Sequence, residues 1–357
     1  MKVKKMWKNV CYSAVAFLLI GGICLGVAAE KSDVNKVRIN SNKAPVNSIL
    51  PSDTSVTQKE NSNNEIYDLS VTSWNVGGCA RGVDSGITKD TTKYNWQQGL
   101  DEWETFFAKG ENAMPSDVYC LQEFYKYFYK EYNGDTVNEA TAILAKDKFA
   151  PLFNELEARE GKTHDIAGGP WTMSSAIGTT KKGGFHLYDV SYGYLSGKSP
   201  RDQRMYIKGY IDVNGKKVAI YSVHLGFEDR LTNFDSYNEL IELMRKEEYC
   251  IVMGDMNSSA LTELFVKAGA NVANCGKFGE FQTYMYRNNA YLDNIFTTPN
   301  IDIKYVECLS SDNNPDNDNH GFSDHYPITA YLTVNADKAN TMSAPQLDKD
   351  GFVAEYY

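Results

Sequence analysis

The chain has 357 residues, and its 46 acidic side chains outnumber its 36 basic ones, which gives a formal net charge of -10. Proteins that hold nucleic acid through bulk electrostatics are usually basic, so this balance excludes tight static binding of that kind. It suits an enzyme that gathers acidic groups around a divalent cation, because the cation inverts the local field.

The first 29 residues predict a signal peptide. Residues 14–27 form an almost unbroken run of apolar or small residues, and small residues stand at Val27 and Ala29. The basic start before that run consists of Lys2, Lys4, Lys5 and Lys8. This order predicts cleavage after Ala29 and a secreted product. The alternative is an uncleaved membrane anchor, for which the apolar run is short. Loss of the four lysines changes the net charge from -10 to -14 (-10 minus 4).

Three further segments follow this leader. Residues 30–66 are rich in Asn, Ser, Lys and Asp without a sustained apolar period, which predicts a flexible polar linker. Residues 67–335 alternate short apolar segments with Gly, Asn and Asp turns, and they predict one folded domain without internal repeats. Residues 336–357 are predicted to be a polar C-terminal tail.

The cysteines exclude two kinds of site. The five that follow the leader are Cys79, Cys120, Cys250, Cys275 and Cys308. Their odd number and wide spacing exclude a dense disulfide framework and a Cys-x-x-Cys zinc site. Cys120 and Cys250 stand in apolar runs and are predicted to be buried thiols, whereas a bridge between Cys275 and Cys308 stays open at this point.

Eight segments of the domain have the composition of β-strands, with β-branched and aromatic residues bounded by Gly, Asn or Asp. In chain order they are "LSVTSWNV", "DVYCLQEF", "SSAIGTT", "MYIKGYIDV", "KVAIYSVHL", "CIVMGDMN", "YLDNIFTT" and "YPITAYLTV". An Asn-Gly pair at residues 214–215 predicts a hairpin between the fourth and the fifth. Apolar spacings of three and four predict helices in "NWQQGLDEWETFFA", "LTNFDSYNELIELMRKEE" and "ALTELFVKAG", the last ending at Gly269. Together these elements predict an α/β fold of packed sheets with helices outside.

Polar side chains stand where these apolar runs end. They are Asn75, Glu123, His224, Asp255, Asn257, Asp293, Asp324 and His325. Each alone has an ordinary explanation, such as a turn, a solvated strand end or a buried structural histidine. Asp293 is harder to explain in that way, because a carboxylate between apolar neighbours needs a partner. If the strands are neighbours, all of these side chains meet at one edge of a sheet, and the joint pattern favours a functional site.

These motifs resemble the endonuclease/exonuclease/phosphatase superfamily, which includes the pancreatic-type deoxyribonucleases and the bacterial sphingomyelinases. The segments "SWNVGG", "DVYCLQEF", "YSVHLG", "IVMGDMN", "YLDNIF" and "FSDHYPI" appear in the order and approximate spacing of that superfamily, from about Val71 to Val334. The resemblance implies a four-layer α/β sandwich of the deoxyribonuclease type, with two packed, mainly antiparallel β-sheets flanked by helices. It also implies metal-dependent cleavage of phosphate esters.

The resemblance also implies roles for individual residues. Glu123 would be the main ligand of a Mg²⁺ (Mn²⁺ is the alternative ion), with Asn75 and Asp324 nearby. Asp255 and Asn257 would orient the attacking water and hold a phosphate oxygen. The catalytic set is His224, Asp255, Asn257, Asp293 and His325. In this set His325 would contact the scissile phosphate, Asp293 would fix its ring, and His224 would lie on the opposite side.

One feature departs from the deoxyribonuclease branch. That branch pairs its second histidine with a glutamate on an earlier strand, but the matching stretch "TMSSAIGTT" contains no acidic residue. His224 is therefore expected to lack the acidic partner that the branch supplies.

The chemistry of these residue types agrees with the implied activity. A phosphodiester is negatively charged and gains charge as water attacks, and a hard cation on oxygen ligands can neutralise that charge. A protonated imidazole adds a charge-assisted hydrogen bond to the phosphate, and a carboxylate on its other nitrogen raises its pKa and fixes its tautomer.

Two other polar stretches are weaker signals. Arg204 in "SPRDQRMYIKG" is a candidate contact for the substrate phosphate, and the alternative is an ordinary surface charge. The stretch "DNNPDNDN" at residues 312–319 is predicted to be a solvated loop, because it lacks the Gly and the closing Glu of a calcium loop.

Three functions remain open on the sequence. The first is a secreted nuclease, the second is a phospholipid phosphodiesterase of the sphingomyelinase type, and the third is a toxin-like or binding module with weak catalysis. The predicted partner is a phosphodiester in nucleic acid or in a phospholipid head group. No obligate protein partner is evident, and a monomer is expected. The aromatic and lysine-rich stretch "FYKYFYK" at residues 124–130 would suit either a membrane surface or nucleic acid.

Overall fold

The computed structural model describes residues 59–60, 66–76, 116–124, 152–166, 169–198, 203–226, 230–284, 288–308, 323 and 325–347. All of them belong to one compact unit. The predicted signal peptide, the predicted helix at residues 95–108, Asp324 and the acidic stretch at residues 312–319 lie outside these ranges.

The described chain forms fourteen strands and two helices. The strands are β1 (Lys59–Glu60), β2 (Ile66–Tyr67), β3 (Leu69–Asn75), β4 (Val118–Gln122), β5 (Phe153–Ile166), β6 (Gly169–Thr180), β7 (Tyr188–Lys198), β8 (Gln203–Val213), β9 (Lys216–His224), β10 (Tyr249–Asp255), β11 (Asn271–Val272), β12 (Asp293–Thr297), β13 (Ile301–Cys308) and β14 (Ile328–Val334). The helices are α1 (Arg230–Arg245) and α2 (Thr262–Lys267).

Twelve of the strands form two six-stranded sheets. The first sheet has the order β13-β14-β3-β4-β6-β5, and the second has the order β11-β12-β10-β9-β8-β7. One pair in the middle of each sheet is parallel, β3 with β4 and β9 with β10, and the other pairs are antiparallel. The predicted fold class, two packed and mainly antiparallel sheets with helices outside, is confirmed.

Both faces of the central strands are buried, which explains their nearly continuous apolar sequences. In β10, Ile251 and Met253 belong to the core between the sheets, whereas Cys250 and Val252 face the core beneath the helices. Successive side chains of a strand point to opposite faces, so one strand serves both cores. Each fully buried aliphatic side chain of this kind contributes roughly 1.5–3 kcal/mol.

The helices cover the outer face of the second sheet. Tyr237 in α1 packs edge-on against Phe265 in α2, with ring centroids 5.6 Å apart. Phe265 stacks on Phe296 of β12 at 3.8 Å. Beyond α2, Gly269 has a φ of +92°, a conformation that favours glycine and ends the helix where the sequence predicts.

The predicted hairpin at Asn214–Gly215 is confirmed. Val213 of β8 pairs with Lys216 of β9, and the two residues between them have φ values of +52° and +74°. Positive φ at both central residues is the geometry of a tight turn that suits the twist of the flanking strands.

All eight predicted strands are present, but six further strands were not predicted: β1, β2, β5, β7, β11 and β13. β1 and β2 form a small sheet of their own, and the other four lie at the edges of the six-stranded sheets. An edge strand needs fewer buried side chains, so β5, with the sequence "FNELEAREGKTHDI", has charged residues where an apolar alternation would signal a strand.

The ends of the predicted domain extend further than the sequence indicates. Within the segment predicted as a linker, β1 pairs with β2, and Lys59 Nζ lies 2.5 Å from Asp117 Oδ1. Within the predicted tail, Asn340 donates to the carbonyl of Glu247 at 2.8 Å, and Ser343 donates to the carbonyl of Ala268 at 2.9 Å. The folded region therefore includes residues on both sides of the predicted boundaries.

Four cysteines are described, and all are free thiols. Cys120 and Cys250 are buried, as predicted. Cys275 and Cys308 do not form a bridge, and their sulfur atoms approach separate partners, the side chain of Asn274 and the carbonyl of Gln282. Within the described ranges, no helix is long and apolar enough to cross a membrane.

Candidate active site

The strand register brings the predicted polar residues together at one edge of the two sheets. In the second sheet, Asp255 at the end of β10 pairs with His224 on one side and with Asp293 on the other. In the first sheet, Asn75 at the end of β3 pairs with Gln122, directly before Glu123. The parallel pairs β3–β4 and β9–β10 explain this arrangement, because the carboxyl ends of parallel strands lie at the same edge of a sheet.

Asn75 connects the two sheets at this edge. Its Nδ2 donates to Glu123 Oε1 at 3.1 Å, and to Asp255 Oδ2 at 3.0 Å. Since Glu123 follows the first sheet and Asp255 belongs to the second, the Asn75 amide fixes the spacing between their carboxylates. Its amide oxygen can act only as a hydrogen-bond acceptor or as a metal ligand.

Asp293 and His325 form a buried pair. His325 Nδ1 lies 2.7 Å from Asp293 Oδ2, which is a hydrogen-bond distance. Asp293 is fully buried and His325 is 5% exposed. This contact orients the imidazole so that Nε2, its other nitrogen, points towards Asp255, whose Oδ2 lies 3.8 Å away.

Asp255 lies at the centre of the cluster. Its Oδ1 accepts the backbone N–H of Asn257 at 2.9 Å, and its Oδ2 lies 3.4 Å from His224 Nε2. Burial raises the pKa of Asp255 to about 6, although the neighbouring His325 and the Asn75 amide favour the charged form.

His224 lies on the opposite side of Asp255 from Asp293. Burial lowers the pKa of His224 well below its usual range, and the charges of Arg204 and His325 lower it further. In the described part of the chain, its Nδ1 has no hydrogen-bond partner. Whether His224 lacks the acidic partner that the deoxyribonuclease branch supplies stays a prediction.

Arg204 is at the same edge but is not a surface charge, since it is only 2% exposed. It lies on β8 beside the end of β9, and a Cβ on Gly226 would be 3.7 Å from its Nε. Its charge acts on His224. The surface-charge alternative is thus wrong, and contact with a substrate phosphate stays a prediction.

Two site residues have strained backbones. Glu123 and Asn257 have φ values of +52° and +50°. Non-glycine residues rarely adopt this region, and such strain is often found at functional sites. Asn257 is held there by its Nδ2, which donates to the carbonyl of Leu225 at 2.8 Å.

The predicted metal ligands suit a hard divalent cation. The side chain of Glu123 is 25% exposed, so its carboxylate is open to an ion from solvent. The N–H groups of Asn75 donate to the carboxylates of Glu123 and Asp255, so its amide oxygen is the atom that could bind a cation beside Glu123. Such an all-oxygen set is what Mg²⁺ prefers. Asp324, the third predicted ligand, lies outside the described residues.

A second group of possible ligands consists of Asp255, Asp293 and His325. The 2.7 Å contact between His325 and Asp293 fits a shared proton. An ion between these two atoms would replace that proton and would need about 2 Å to each of them. The Glu123 and Asn75 pair is therefore the better candidate site for a divalent cation.

Several residues that hold the site were not predicted. Trp74 Nε1 donates to the carbonyl of His325 at 2.9 Å. Ser323 Oγ donates to the carbonyl of Asn75 at 2.6 Å and accepts the N–H of His325 at 3.1 Å. Trp74 stands one residue before Asn75, and Ser323 stands two residues before His325. Both residues therefore lie inside the motifs quoted above, and this position could have identified them from the sequence. Thr283 stands in "FQTYMY" and has no such signal.

Comparisons with known proteins agree on the fold. No protein-family model matches the chain, and no curated protein matches it. Among solved structures, the endonuclease/exonuclease/phosphatase from Bacteroides vulgatus has a TM-score of 0.52 and 16% identity, covering 75% of this chain and 99% of that one. The endonuclease/exonuclease/phosphatase family protein from Bacteroides thetaiotaomicron has a TM-score of 0.52 and 17% identity, covering 76% and 96%.

A third similar structure is the Bacteroides thetaiotaomicron mannosyl-6-phosphatase, with a TM-score of 0.50 and 16% identity, covering 74% of this chain and 99% of that one. Identities at this level show a shared fold and leave the activity to be argued from the site. The chain has the fold of the endonuclease/exonuclease/phosphatase structures.

Proposed function

We propose that this chain is a phosphoric ester hydrolase that depends on a divalent cation, Mg²⁺ or Mn²⁺. The observation that carries the proposal is the meeting of carboxylate, amide and imidazole groups at one edge of both sheets, with His325 held by Asp293 at 2.7 Å. The shared fold supports the same reaction class.

Different residues would bind the cation, orient the attacking water and contact the phosphate. Glu123 and Asn75, with Asp324 beside His325 in the chain, would hold the cation. When bound, the cation supplies positive charge for the phosphate. Asp255 and Asn257 would orient the attacking water, whose oxygen forms the new bond to phosphorus while the ester P–O bond breaks. The departing oxygen leaves with the electron pair of that bond, and the proton lost by the water ends on it, so that an alcohol is released.

The two histidines face the phosphate from different sides. His325, protonated and held by Asp293, donates a charge-assisted hydrogen bond to a phosphate oxygen. His224 lies across Asp255 as an uncharged imidazole, since its pKa is lowered by burial. The buried guanidinium of Arg204 adds a fixed positive charge on that side and is our candidate for a further phosphate contact.

In its finer form, the proposal is a secreted, monomeric phosphodiesterase that cuts nucleic acid as an endonuclease. The sequence supports secretion through its basic, apolar and small-residue leader. It supports nucleic acid through the stretch "FYKYFYK", which begins directly after Glu123 and interleaves aromatic rings with lysines. Such rings stack on bases, and such lysines contact phosphates.

The test is a substrate panel with the chain from Glu30 onward. Plasmid DNA, RNA, sphingomyelin, inositol phosphates and a sugar phosphate are each incubated with Mg²⁺, with Mn²⁺ and with excess chelator. We expect cleavage of DNA or RNA that requires the cation. Cleavage of sphingomyelin alone would replace the nuclease assignment by the phospholipid one, and no hydrolysis of any substrate would contradict the proposed reaction class.

A further inference from the structure

Thr283 lies between the two backbone segments that carry Asp293 and His325. Its side chain is fully buried. Its Oγ1 accepts the backbone N–H of Leu292 at 3.0 Å and that of Asp293 at 2.9 Å. Its carbonyl accepts the backbone N–H of Tyr326 at 2.7 Å. One residue thus bonds to the start of β12 and to the residue after His325.

The backbone of Thr283 is itself fixed in place. Its N–H donates to the carbonyl of Ala290 at 3.1 Å, and the same carbonyl accepts the N–H of Tyr284 at 3.2 Å. Tyr284 forms an isolated antiparallel bridge with His325, and their rings lie 5.1 Å apart. Thr283 and Tyr284 therefore contact both members of the Asp293–His325 pair or their backbone neighbours.

Asp293 depends on this support more than an ordinary buried carboxylate does. Its Oδ2 bonds to His325, whereas its Oδ1 has no hydrogen-bond partner in the described part of the chain. Buried carboxylates are usually oriented by several hydrogen bonds. Here the direction of the side chain is set mainly by the position of its backbone, which Thr283 holds.

We propose that Thr283 is a positioning residue, whose hydroxyl and carbonyl together set the separation of Asp293 and His325. The kinetic part of this inference rests on the proposed function, because it assumes that His325 contacts the phosphate. The structural part does not, since the proton between the two side chains can be observed without a substrate.

The experiment compares Thr283→Val, which removes the hydroxyl and keeps the shape, with Thr283→Ser, which keeps the hydroxyl. Thr298→Val is the matched control. Thr298 is equally buried, and its Oγ1 accepts the N–H of Cys250 at 3.1 Å, at the opposite end of β10 from Asp255. Each variant is measured by steady-state kinetics, by thermal unfolding and by the downfield NMR resonance of the His325 Nδ1 proton.

We expect Thr283→Val to lower kcat by on the order of 10- to 100-fold, the scale of a misplaced catalytic group, with KM within about twofold. The His325 resonance should shift upfield or disappear. Thr283→Ser should retain both the resonance and kcat within about threefold of the parent, because the acceptor oxygen is still present. Thr298→Val should lower the unfolding temperature about as much as Thr283→Val does, because each change removes one buried hydroxyl. Unlike Thr283→Val, it should leave kcat and the His325 resonance unchanged.

An unchanged resonance in folded Thr283→Val would overturn the inference, and so would its loss in Thr283→Ser. If Thr283→Val does not fold, Thr283→Ala gives the same comparison. A changed resonance with unchanged kcat would keep the positioning role and contradict the role of His325 in the reaction, which separates the failure of this inference from the failure of the proposed function.

Discussion

His325 Nδ1 lies 2.7 Å from Asp293 Oδ2, although 32 residues separate them in the chain. Asp293 starts β12 of the second sheet, whereas His325 precedes β14 of the first. A contact between the sheets thus orients a side chain at their common edge. The pair is buried at this edge. The segment around Thr283 and Tyr284 covers it.

The first prediction concerns this pair. Because Asp293 acts through His325, their losses should not add. We expect His325→Ala to lower turnover by about 10² to 10⁴, the usual scale for a positioned acid or base. Asp293→Asn should be similar or milder, and the double variant should be hardly worse than His325→Ala alone. Steady-state kinetics of the three variants measure this, and losses that multiply would contradict it.

The second prediction concerns Gly254, where β10 passes close to β9. A Cβ at this position would lie 1.9 Å from the carbonyl oxygen of Val223. Gly254→Ala must therefore separate the two strands, and we expect a loss of roughly 1–3 kcal/mol in the free energy of unfolding. Activity should fall too, because Asp255 and His224 end these strands.

Gly226→Ala is the control for that change, since its Cβ would meet Asn233 Oδ1 at an ordinary 3.4 Å. Chemical denaturation of both variants provides the measurement. Equal stability of Gly254→Ala and the parent would show that the strands tolerate the added methyl group.

The third prediction concerns the cation. If Glu123 is its main ligand, added Mg²⁺ should raise the unfolding temperature of the parent, because a ligand of the folded state stabilises it. Glu123→Gln should abolish that rise in unfolding temperature, and added Mg²⁺ should no longer increase its activity. The control is Glu263→Gln, which removes an exposed ion pair with Lys267 at 3.1 Å on α2. A full Mg²⁺ response in Glu123→Gln would refute the ligand assignment.

The fourth prediction concerns the segment before the domain. Asp117 is buried, and burial raises its pKa, while Lys59 at 2.5 Å favours its charged form. Lys59→Met should destabilise the fold by about 1–2 kcal/mol at pH 7, less than a fully buried pair because Lys59 is partly exposed. The difference in free energy of unfolding between the parent and Lys59→Met should shrink as the pH falls towards the usual pKa of aspartate. At that pH Asp117 becomes protonated and no longer needs the lysine.

Lys217→Met provides the comparison, since Lys217 and Asp189 are an exposed pair at 3.2 Å. Thermal unfolding at several pH values measures the effect. A deficit in Lys59→Met that grows as the pH falls would contradict the account.

The sequence predicts which residues meet at this edge where a polar residue follows a buried strand. Asn75, His224 and Asp255 were found because each ends a strand-like run, and the ends of these strands are buried on both faces. The burial of Arg204 and the role of Thr283 could not be predicted in that way, because both depend on which strands become neighbours. The edge strands β5, β7, β11 and β13 were missed for a related reason, since an edge strand does not need the apolar pattern of a central one.

The most direct test of the central claim is the rate of phosphodiester cleavage by the parent chain and by His325→Ala, each with Mg²⁺ and with excess chelator. The best substrate of the panel is used for all four measurements. We expect a substantial rate only for the parent with Mg²⁺, and recovery of that rate when Mg²⁺ is restored after chelation. A parent rate unaffected by the chelator, or a folded His325→Ala variant at the parent rate, would contradict it.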